Sequence, residues 1–476
     1  MIGGNIIMIV PFVMTMLTTA DKPYLWSFYT LMNLANKQKK VMIAQEEYFT
    51  APSVFEQQGR KEVCDENFMK RSGYSKPTDK EVDELDKYPI PKSIEEELIK
   101  EKGCHNAAQI FFLSQRWEKF EQLIEKYINE IESKHGEKIE AFMTLCHYPS
   151  LSAVAEKHGI KVIHFELGAL RDPAYLKTVY FDFHNLYGDS SAERRYKEFS
   201  KSTAKKVPLL DKKTILALMY RDGFMKYLTV LDKKPEYKMG VALGYATWPM
   251  FQVNTWMNDE ELLYQVSKYY KPEEFITRKH PADPASAQYM KYDYSKDIES
   301  ANTVEFVLRC KRVVSLASNV SFEAMLYGRT AYTMTYYGPY FNSKHDVSDT
   351  ELSETPDEYV SFYVLGYLVP FEYALDLDYI KWRLSGPDEE DIYLKHLAYY
   401  LSIYGLKLTD ANNSLYDRIL SARKFDANKK YTFGNSRKPA MSIRDCQIQI
   451  EKLKAEIEKK NERIAALLQG GSSIGG

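Results

Sequence analysis

The sequence predicts an α/β protein with two Rossmann-like parallel sheets, one within residues 1–205 and the other within residues 206–356. Two observations support this prediction: short apolar runs of strand length alternate with helical segments, and the alternation occurs in two separate series. Strands that alternate with helices are typical of parallel sheets. A chain of 476 residues has room for about two to four domains.

The first series opens with "IIMIV" at residues 6–10, followed by a helix that Asp21 caps, with Pro23 in its first turn. "KKVMIA" is the next strand. Residues 56–103 are charged and interrupted by proline, so we expect a surface excursion with short helices there. Apolar residues at helical spacing predict an amphipathic helix over residues 113–134. The alternation resumes with "KIEAFMTLC", "PSLSAVAEKHG" and "KVIHFEL".

The second series begins near residue 239. Its predicted strands are "MGVALGY", "FITRKHP", "RVVSLAS" and "TAYTMTYYG", and its helices are "DEELLYQVSKYY", "TVEFVLRC" and "SFEAMLYG". A polar stretch near residues 197–237 joins the two series. Residues 357–440 are expected to form helices that pack on or cross between the two sheets.

Residues 441–469 contain a seven-residue repeat. One core position holds isoleucine and the other mostly leucine, at Ile443, Ile450, Ile457 and Ile464 and at Cys446, Leu453, Lys460 and Leu467. That pairing favours a two-stranded parallel coiled coil. We therefore expect a homodimer through residues 443–467, with a single helix packed on the protein's own surface as the alternative.

The composition limits the class of protein. A formal net charge of −2 argues against a nucleic-acid binder. Five widely spaced cysteines without a C-x-x-C pair favour a reducing compartment over a disulfide framework or a zinc site. The apolar run at residues 6–17 lacks a basic segment and a cleavage site, and it is too short to span a bilayer. These features predict a cytoplasmic protein.

Three strand ends carry polar side chains, and ligands of doubly wound sheets bind beyond the carboxyl ends of strands. In "SNVSFE", Ser318, Asn319 and Ser321 stand at a helix start, where hydroxyls and backbone N–H groups can bind a phosphate. Glu323, one turn later, could reach a ribose hydroxyl. The alternative is that Ser321 or Asn319 only caps the helix.

The second strand end carries Lys279 and His280 before a proline, a pair that can hold a phosphate through charge-assisted hydrogen bonds. A purely structural histidine is the alternative. The third lies in residues 164–191 and includes Glu166 and Asp182. A carboxylate at a strand end facing a cleft can act as general acid or base, although acidic loops are often simply solvated.

These three regions together resemble the capsule polysaccharide synthesis family, which includes the capsular and O-antigen transferases of 3-deoxy-manno-octulosonic acid (Kdo). The first half shows "E-x-G-x-x-R" and "D-x-x-x-x-Y-G-D-x-S", and the second shows "K-H-P", "S-N-V-S-F-E-A-M-L-Y-G-R" and "Y-G-P-Y-F". The resemblance spans roughly residues 139–342. It implies the GT-B fold, with two Rossmann-like domains facing a cleft, and CMP-Kdo as donor.

On this resemblance, Glu166 matches the glutamate of "E-x-G" and is the expected acid or base. The residues expected to bind the donor are Lys279, His280, Ser318, Asn319, Ser321, Glu323 and Arg171. The family's nucleophilic aspartate is not matched, because "VALGYATWPMFQVNTW" has no carboxylate before Asp259. Either Asp172 or Asp182 supplies the nucleophile, or the sugar is transferred differently, or the donor is not Kdo. No metal site is expected.

The leading hypothesis is a cytoplasmic glycosyltransferase that extends a bacterial capsule or O-antigen. It would use CMP-Kdo as substrate, need no further cofactor, and transfer the sugar to a glycan or lipid-linked glycan. It would work at the inner face of the cell membrane with other polysaccharide-assembly proteins. The alternatives are a nucleotide-sugar epimerase or hydrolase on the same fold, and a non-catalytic coiled-coil scaffold.

Overall fold

The structure is a computed structural model that describes residues 8–14, 22–58, 75–186, 188–244, 249–280, 300–335 and 340–432. The predicted coiled coil over residues 441–469, with its expected dimer contact, lies outside the described residues. Among the described helices, none combines the length and the apolar character that crossing a membrane requires.

The first sheet has seven strands in the order β11-β6-β5-β4-β1-β2-β3. Its strands are β1 Met8–Val13, β2 Val41–Gln45, β3 Asp86–Ile90, β4 Ile139–Thr144, β5 Lys161–Leu167, β6 Thr178–Asp182 and β11 Val369–Pro370. Strands β1 to β5 pair in parallel, whereas β6 pairs antiparallel with β5 and β11 antiparallel with β6.

The second sheet has four parallel strands in the order β10-β9-β7-β8. They are β7 Met239–Ala242, β8 Phe275–Arg278, β9 Arg312–Ser315 and β10 Thr330–Thr333. A packed apolar cluster covers this sheet and includes Val241, Leu262 and Val314. The prediction of an α/β fold with two sheets is confirmed, although the first sheet is mixed, because β6 and β11 pair antiparallel.

Helices connect and cover these strands. The α-helices are α1 Lys22–Asn36, α2 Pro52–Gln57, α3 Asp79–Asp83, α4 Lys92–Lys102, α5 His105–Ser114, α6 Glu118–His135, α7 Pro149–His158, α8 Ala192–Glu198, α9 Lys212–Met219, α10 Pro249–Asn254, α11 Asp259–Tyr269, α12 Thr303–Arg309, α13 Val320–Leu326, α14 Asp357–Ser361, α15 Phe371–Ala374, α16 Leu377–Leu384, α17 Glu389–Ser402 and α18 Leu415–Ala422. The 3₁₀ helices are Glu46–Phe49, Asp222–Val230, Pro272–Glu274 and Leu408–Asp410, and the π-helices are Phe199–Thr203 and Phe362–Tyr367.

The helix predicted over residues 113–134 is α6, which begins later, at Glu118, because α5 ends before it at Ser114. Gln115 between them is extended, and the backbone N–H of buried Trp117 donates to Ser150 Oγ at 2.8 Å. The apolar stripe of α6 is buried as the spacing predicts, and the helix ends at Gly136 with φ of 66°.

The excursion predicted over residues 56–103 contains β3, which the sequence analysis missed. Val41 of β2 pairs with Asp86 of β3, and Tyr88 and Ile90 are buried. Because β3 is the edge strand, it needs few apolar residues. Its charged sequence therefore lacks the apolar pattern by which a strand is recognised.

The polar stretch near residues 197–237 includes a buried helix, because every residue of α9 from Thr214 to Met219 is buried. The expectation for residues 357–440 was of helices that pack on or cross between the two sheets. Residues 357–440 contribute β11, whose Val369 pairs with Val179 of β6. The first sheet is therefore completed by chain that follows the second sheet.

Candidate functional site

Glu166 lies at the carboxyl end of β5, where it is half-buried. Its Oε1 accepts a hydrogen bond of 2.8 Å from the backbone N–H of Leu167. Burial raises the pKa of Glu166, while that hydrogen bond and the charge of Arg171 oppose the rise. A carboxyl group with a raised pKa at a strand end has the properties of a general acid or base.

Three tyrosines connect this strand end to the second sheet. Tyr180 of β6 pairs directly with Glu166 across the two strands, so the two side chains share one face. The hydroxyl of Tyr180 donates to Asn319 Oδ1 at 2.9 Å and lies 3.0 Å from Tyr340 Oη and 2.8 Å from Tyr363 Oη. Tyr180, Tyr340 and Tyr363 are called the hydroxyl cluster below. Through it, Glu166 and Asn319 are connected across the region between the two sheets, which is called the cleft below.

Asn319 is held in a defined orientation, because its Oδ1 also accepts a hydrogen bond from the hydroxyl of Tyr340. With Oδ1 occupied by two hydroxyls, its Nδ2 is left as a donor, and no described residue accepts from it. Asn319 can therefore offer a fixed N–H group to a ligand.

Arg171 supplies a positive charge to the cleft. Burial raises the pKa of Glu166, Glu323, Tyr180 and Tyr340, and the charge of Arg171 opposes that rise in each case. A charge that acts on all four groups lies near all four. The Arg171 side chain is exposed and forms no ion pair with any described residue. It is therefore available to an anionic ligand.

The helix start after β9 differs from the prediction. The backbone N–H groups of Ser318 and Val320 donate to Ser315 Oγ at 3.1 Å and Ser318 Oγ at 3.3 Å, and that of Ser321 donates to Ser318 O at 3.0 Å. The hydroxyl of Ser321 is buried and lies 2.8 Å from Ser315 Oγ. The chain itself therefore occupies the Ser321 hydroxyl and these three N–H groups, and a phosphate contact of the Ser318 hydroxyl stays a prediction.

Glu323 is also placed differently from the prediction. It is 8% exposed, and its Oε2 accepts a hydrogen bond of 2.9 Å from the hydroxyl of Tyr175. The hydroxyl of Tyr327 lies 2.6 Å from those of both Tyr175 and Tyr220. Burial raises the pKa of Glu323 to about 7. The expected contact with a ribose hydroxyl is not supported, because Glu323 belongs to this packed tyrosine cluster.

The two aspartates proposed as nucleophiles are both engaged by the protein. Asp182 is 1% exposed and accepts from the backbone N–H of His184, the N–H and hydroxyl of Ser191 and the hydroxyl of Tyr367, all at 2.7–2.9 Å. These four hydrogen bonds fix the loop after β6. The catalytic role predicted for Asp182 is therefore not supported.

Asp172 forms ion pairs with Lys177 at 3.3 Å and Arg221 at 2.5 Å. Its predicted role as nucleophile is likewise not supported.

Asp259, the first carboxylate after β7, is buried and accepts a hydrogen bond from the backbone N–H of Gly244 on both oxygens, at 2.9 and 3.0 Å. These hydrogen bonds fix Gly244, the last described residue before residues 245–248, which lie outside the described part of the chain.

Lys279 and His280 directly follow β8 at the edge of the second sheet. One strand, β7, separates β8 from β9, so their carboxyl ends lie about 10 Å apart on the same edge of the sheet. Lys279 is exposed and forms no ion pair with a described residue, and His280 is half-buried. Lys279 and Asn319 thus flank one edge at a separation that a nucleotide can span.

The sequence analysis missed two histidines near the cleft. His147 Nδ1 lies 3.4 Å from His164 Nε2, and His164 Nδ1 lies 3.2 Å from the backbone oxygen of Asp182. Burial lowers the pKa of His147, and lowers that of His164 to about 4, so the buried ring of His164 is neutral at pH 7. The pattern "CHYP", which lies just after β4 and contains His147, was the sequence feature that could have indicated them. Among the described residues, no group of three or more His, Cys, Asp or Glu could hold a metal ion.

Residues 10–191 match the sequence model of the Glycosyltransferase 99 family N-terminal domain. A search of curated proteins finds no match.

Among solved structures, the chain is similar to a Thermosulfurimonas dismutans KpsC described as a beta Kdo 2,7 transferase, at 15% identity and a TM-score of 0.36, over 54% of this chain and 89% of that one. A second T. dismutans KpsC, described as a beta Kdo 2,4 transferase, gives 14% identity and a TM-score of 0.32, over 52% and 88%. A Methanocaldococcus jannaschii UDP-GlcNAc 2-epimerase gives 12% identity and a TM-score of 0.27, over 82% and 100%.

The match at residues 10–191 includes β1 to β6 and therefore the strand end that carries Glu166. It agrees with the enzyme class that the motifs of the first half predict. Residues 10–191 are therefore similar to the N-terminal domain of the Glycosyltransferase 99 family.

Proposed function

We propose that this protein transfers a sugar from a nucleotide donor, most favourably Kdo from CMP-Kdo, to a glycan acceptor during assembly of a bacterial capsule or O-antigen. The observation that supports this most directly is the meeting of Glu166, Arg171 and Asn319 at one cleft between two parallel sheets. The family match supports the transferase class, and the motif resemblance supports the donor.

Each of the three residues has a distinct role in the proposal. Arg171 and the Nδ2 group of Asn319 bind anionic groups of the donor, which for CMP-Kdo are one phosphate and one carboxylate. Glu166 takes the proton of the acceptor hydroxyl. The hydroxyl oxygen then bonds to the anomeric carbon while the bond to the phosphate oxygen breaks, and CMP leaves with the electron pair.

The hydroxyl cluster has a positioning role. It fixes the amide of Asn319 through two hydrogen bonds, so the donor meets a group that needs no reorganisation. Burial raises the pKa of Glu166 towards neutral pH, and a general base with a pKa near the working pH accepts a proton from a hydroxyl more effectively.

The test is nucleotide release from CMP-Kdo, UDP-sugars and GDP-sugars, each with and without a synthetic glycan acceptor. We expect release from CMP-Kdo that requires the acceptor. Glu166→Gln is expected to lower kcat by about 100-fold or more, since acid–base catalysis typically contributes 10²–10⁴-fold. Glu140→Gln is the matched control, because Glu140 is exposed on β4.

Reaction of a UDP- or GDP-sugar but not of CMP-Kdo would contradict the donor assignment. Release without acceptor would favour a hydrolase or epimerase. Unchanged kcat in Glu166→Gln, with the variant folded as the wild type, would remove Glu166 from the mechanism.

A further inference from the structure

A second pocket lies far from the cleft, at the other end of β5. It has a volume of about 380 Å³ and lies between Lys161, Phe181 and Phe183 of the first sheet and the residues that join α16 to α17. Lys161 is the first residue of β5, five residues before Glu166, so about 17 Å of strand separates the pocket from the cleft. The proposed transfer reaction does not use this pocket.

The pocket is lined by a buried arginine that has no acidic partner among the described residues. Arg383 is 5% exposed, and its Nη1 donates to the hydroxyl of Tyr379 at 3.0 Å. Its Cζ lies 5.2 Å, 5.8 Å and 5.9 Å from the ring centres of Phe181, Phe183 and Tyr379. No described residue accepts a hydrogen bond from its Nε or Nη2. Because a buried charge is costly without a partner, two donors that line a pocket without a described acceptor are suited to bind an anion.

The two acidic residues near Arg383, Glu389 and Asp388, already have other hydrogen-bond partners. Glu389 accepts from Arg195 at 2.6 and 2.9 Å, which closes that ion pair. The Asp388 carboxylate accepts the backbone N–H of Asp391 at 2.8 Å at the start of α17. Neither carboxylate forms an ion pair with Arg383.

The rim of the pocket adds two more cations. Lys161 and Arg194 both line it, both are exposed, and neither forms an ion pair with a described residue. Glu198 is one exposed acid on the same rim. Together with Arg383, the rim presents three unpaired cations around one cavity, a number that suits a dianion better than a monoanion.

We propose that this pocket binds a small phosphate monoester. The phosphate lies against Arg383, with Lys161 and Arg194 at its outer side. The uncharged part of the ligand packs on the apolar wall that Phe183 and Pro387 provide. A guanidinium fork matches phosphate oxygens in a bidentate geometry, and the volume accommodates a ring the size of a hexose.

The experiment is isothermal titration calorimetry on the full chain, with glucose 6-phosphate and inorganic phosphate as probes at low ionic strength. We expect saturable binding of one glucose 6-phosphate per chain. Arg194→Glu and Lys161→Glu should each weaken it by about tenfold or more, because each removes an attractive charge and adds a repulsive one. Lys311→Glu is the matched control, since Lys311 is exposed just before β9 and forms no ion pair with a described residue.

Arg383→Gln should abolish the binding of glucose 6-phosphate. If Arg383→Gln does not fold, the two rim variants, Arg194→Glu and Lys161→Glu, still test the proposal. Arg171→Gln, in the cleft, should bind the probe as the wild type does. The proposal is overturned if no saturable binding occurs in the millimolar range, if both rim variants bind like the wild type, or if Arg171→Gln is the variant that loses binding. Tighter binding of glucuronate than of glucose 6-phosphate would overturn the assignment of a phosphate.

Discussion

Replacing Glu323 with glutamine should make the stability of this protein less dependent on pH. Burial raises the pKa of Glu323 from its ordinary value of 4.5 to about 7. Between these two values the folded protein holds a proton that the unfolded chain has released, so the free energy of unfolding of the wild type falls as the pH rises. The full difference of about 2.5 pKa units corresponds to about 3 kcal/mol. Glutamine mimics the protonated carboxyl, and its oxygen can still accept from Tyr175.

The assay is urea unfolding of the wild type and Glu323→Gln at pH 5 and pH 8. The variant should gain about 2–3 kcal/mol relative to the wild type between these two pH values. Glu140→Gln controls for the loss of one carboxylate at an exposed position. A difference between Glu323→Gln and the wild type that is the same at both pH values would refute the reasoning, because it would mean that Glu323 is ionised within its tyrosine cluster.

Three further predictions concern packing and reactivity. Arg195→Met should lower the free energy of unfolding by about 3–5 kcal/mol in urea titrations, because it leaves Glu389 buried without its partner; a loss under 1 kcal/mol would contradict this. Gly168→Ala should destabilise by about 1–3 kcal/mol in the same assay, since a Cβ there would lie 2.2 Å from Thr178 Oγ1; wild-type stability would show that Thr178 can move away. The buried thiol of Cys146, with its pKa raised to about 12 by burial, should resist iodoacetamide until the protein unfolds, and labelling of native protein, detected by mass spectrometry, would disprove its burial.

The sequence predicts both sheets because the alternation of apolar runs and helices is a local property. It misses β3, whose sequence "DKYPI" buries only two side chains, and β11, which has two residues. Both lie at an edge of the sheet, where pairing depends on the neighbouring strand more than on hydrophobic pattern. The described part of the chain thus departs from the sequence prediction mainly at the sheet's margins.

The site is predictable only in part for a similar reason. Glu166 is recognisable because it ends an apolar strand. The partners of Asn319 are not, because Tyr180 lies 139 residues away in the chain and Tyr363 meets Tyr180 across 183 residues. Ser321 was misassigned because sequence does not reveal which way a hydroxyl at a helix start points, and here its oxygen lies against Ser315.

Strand β11 has a consequence for how the polypeptide matures. When residues 10–191, the segment that matches the family model, have just left the ribosome, the outer strand of the first sheet, β6, still lacks a neighbour on one side. That margin is capped only when Val369 and Pro370 emerge, nearly two hundred residues later. A fragment cut at the end of the family match would therefore expose a bare backbone edge and invite self-association, so the nascent amino-terminal half depends on late-synthesised chain for protection.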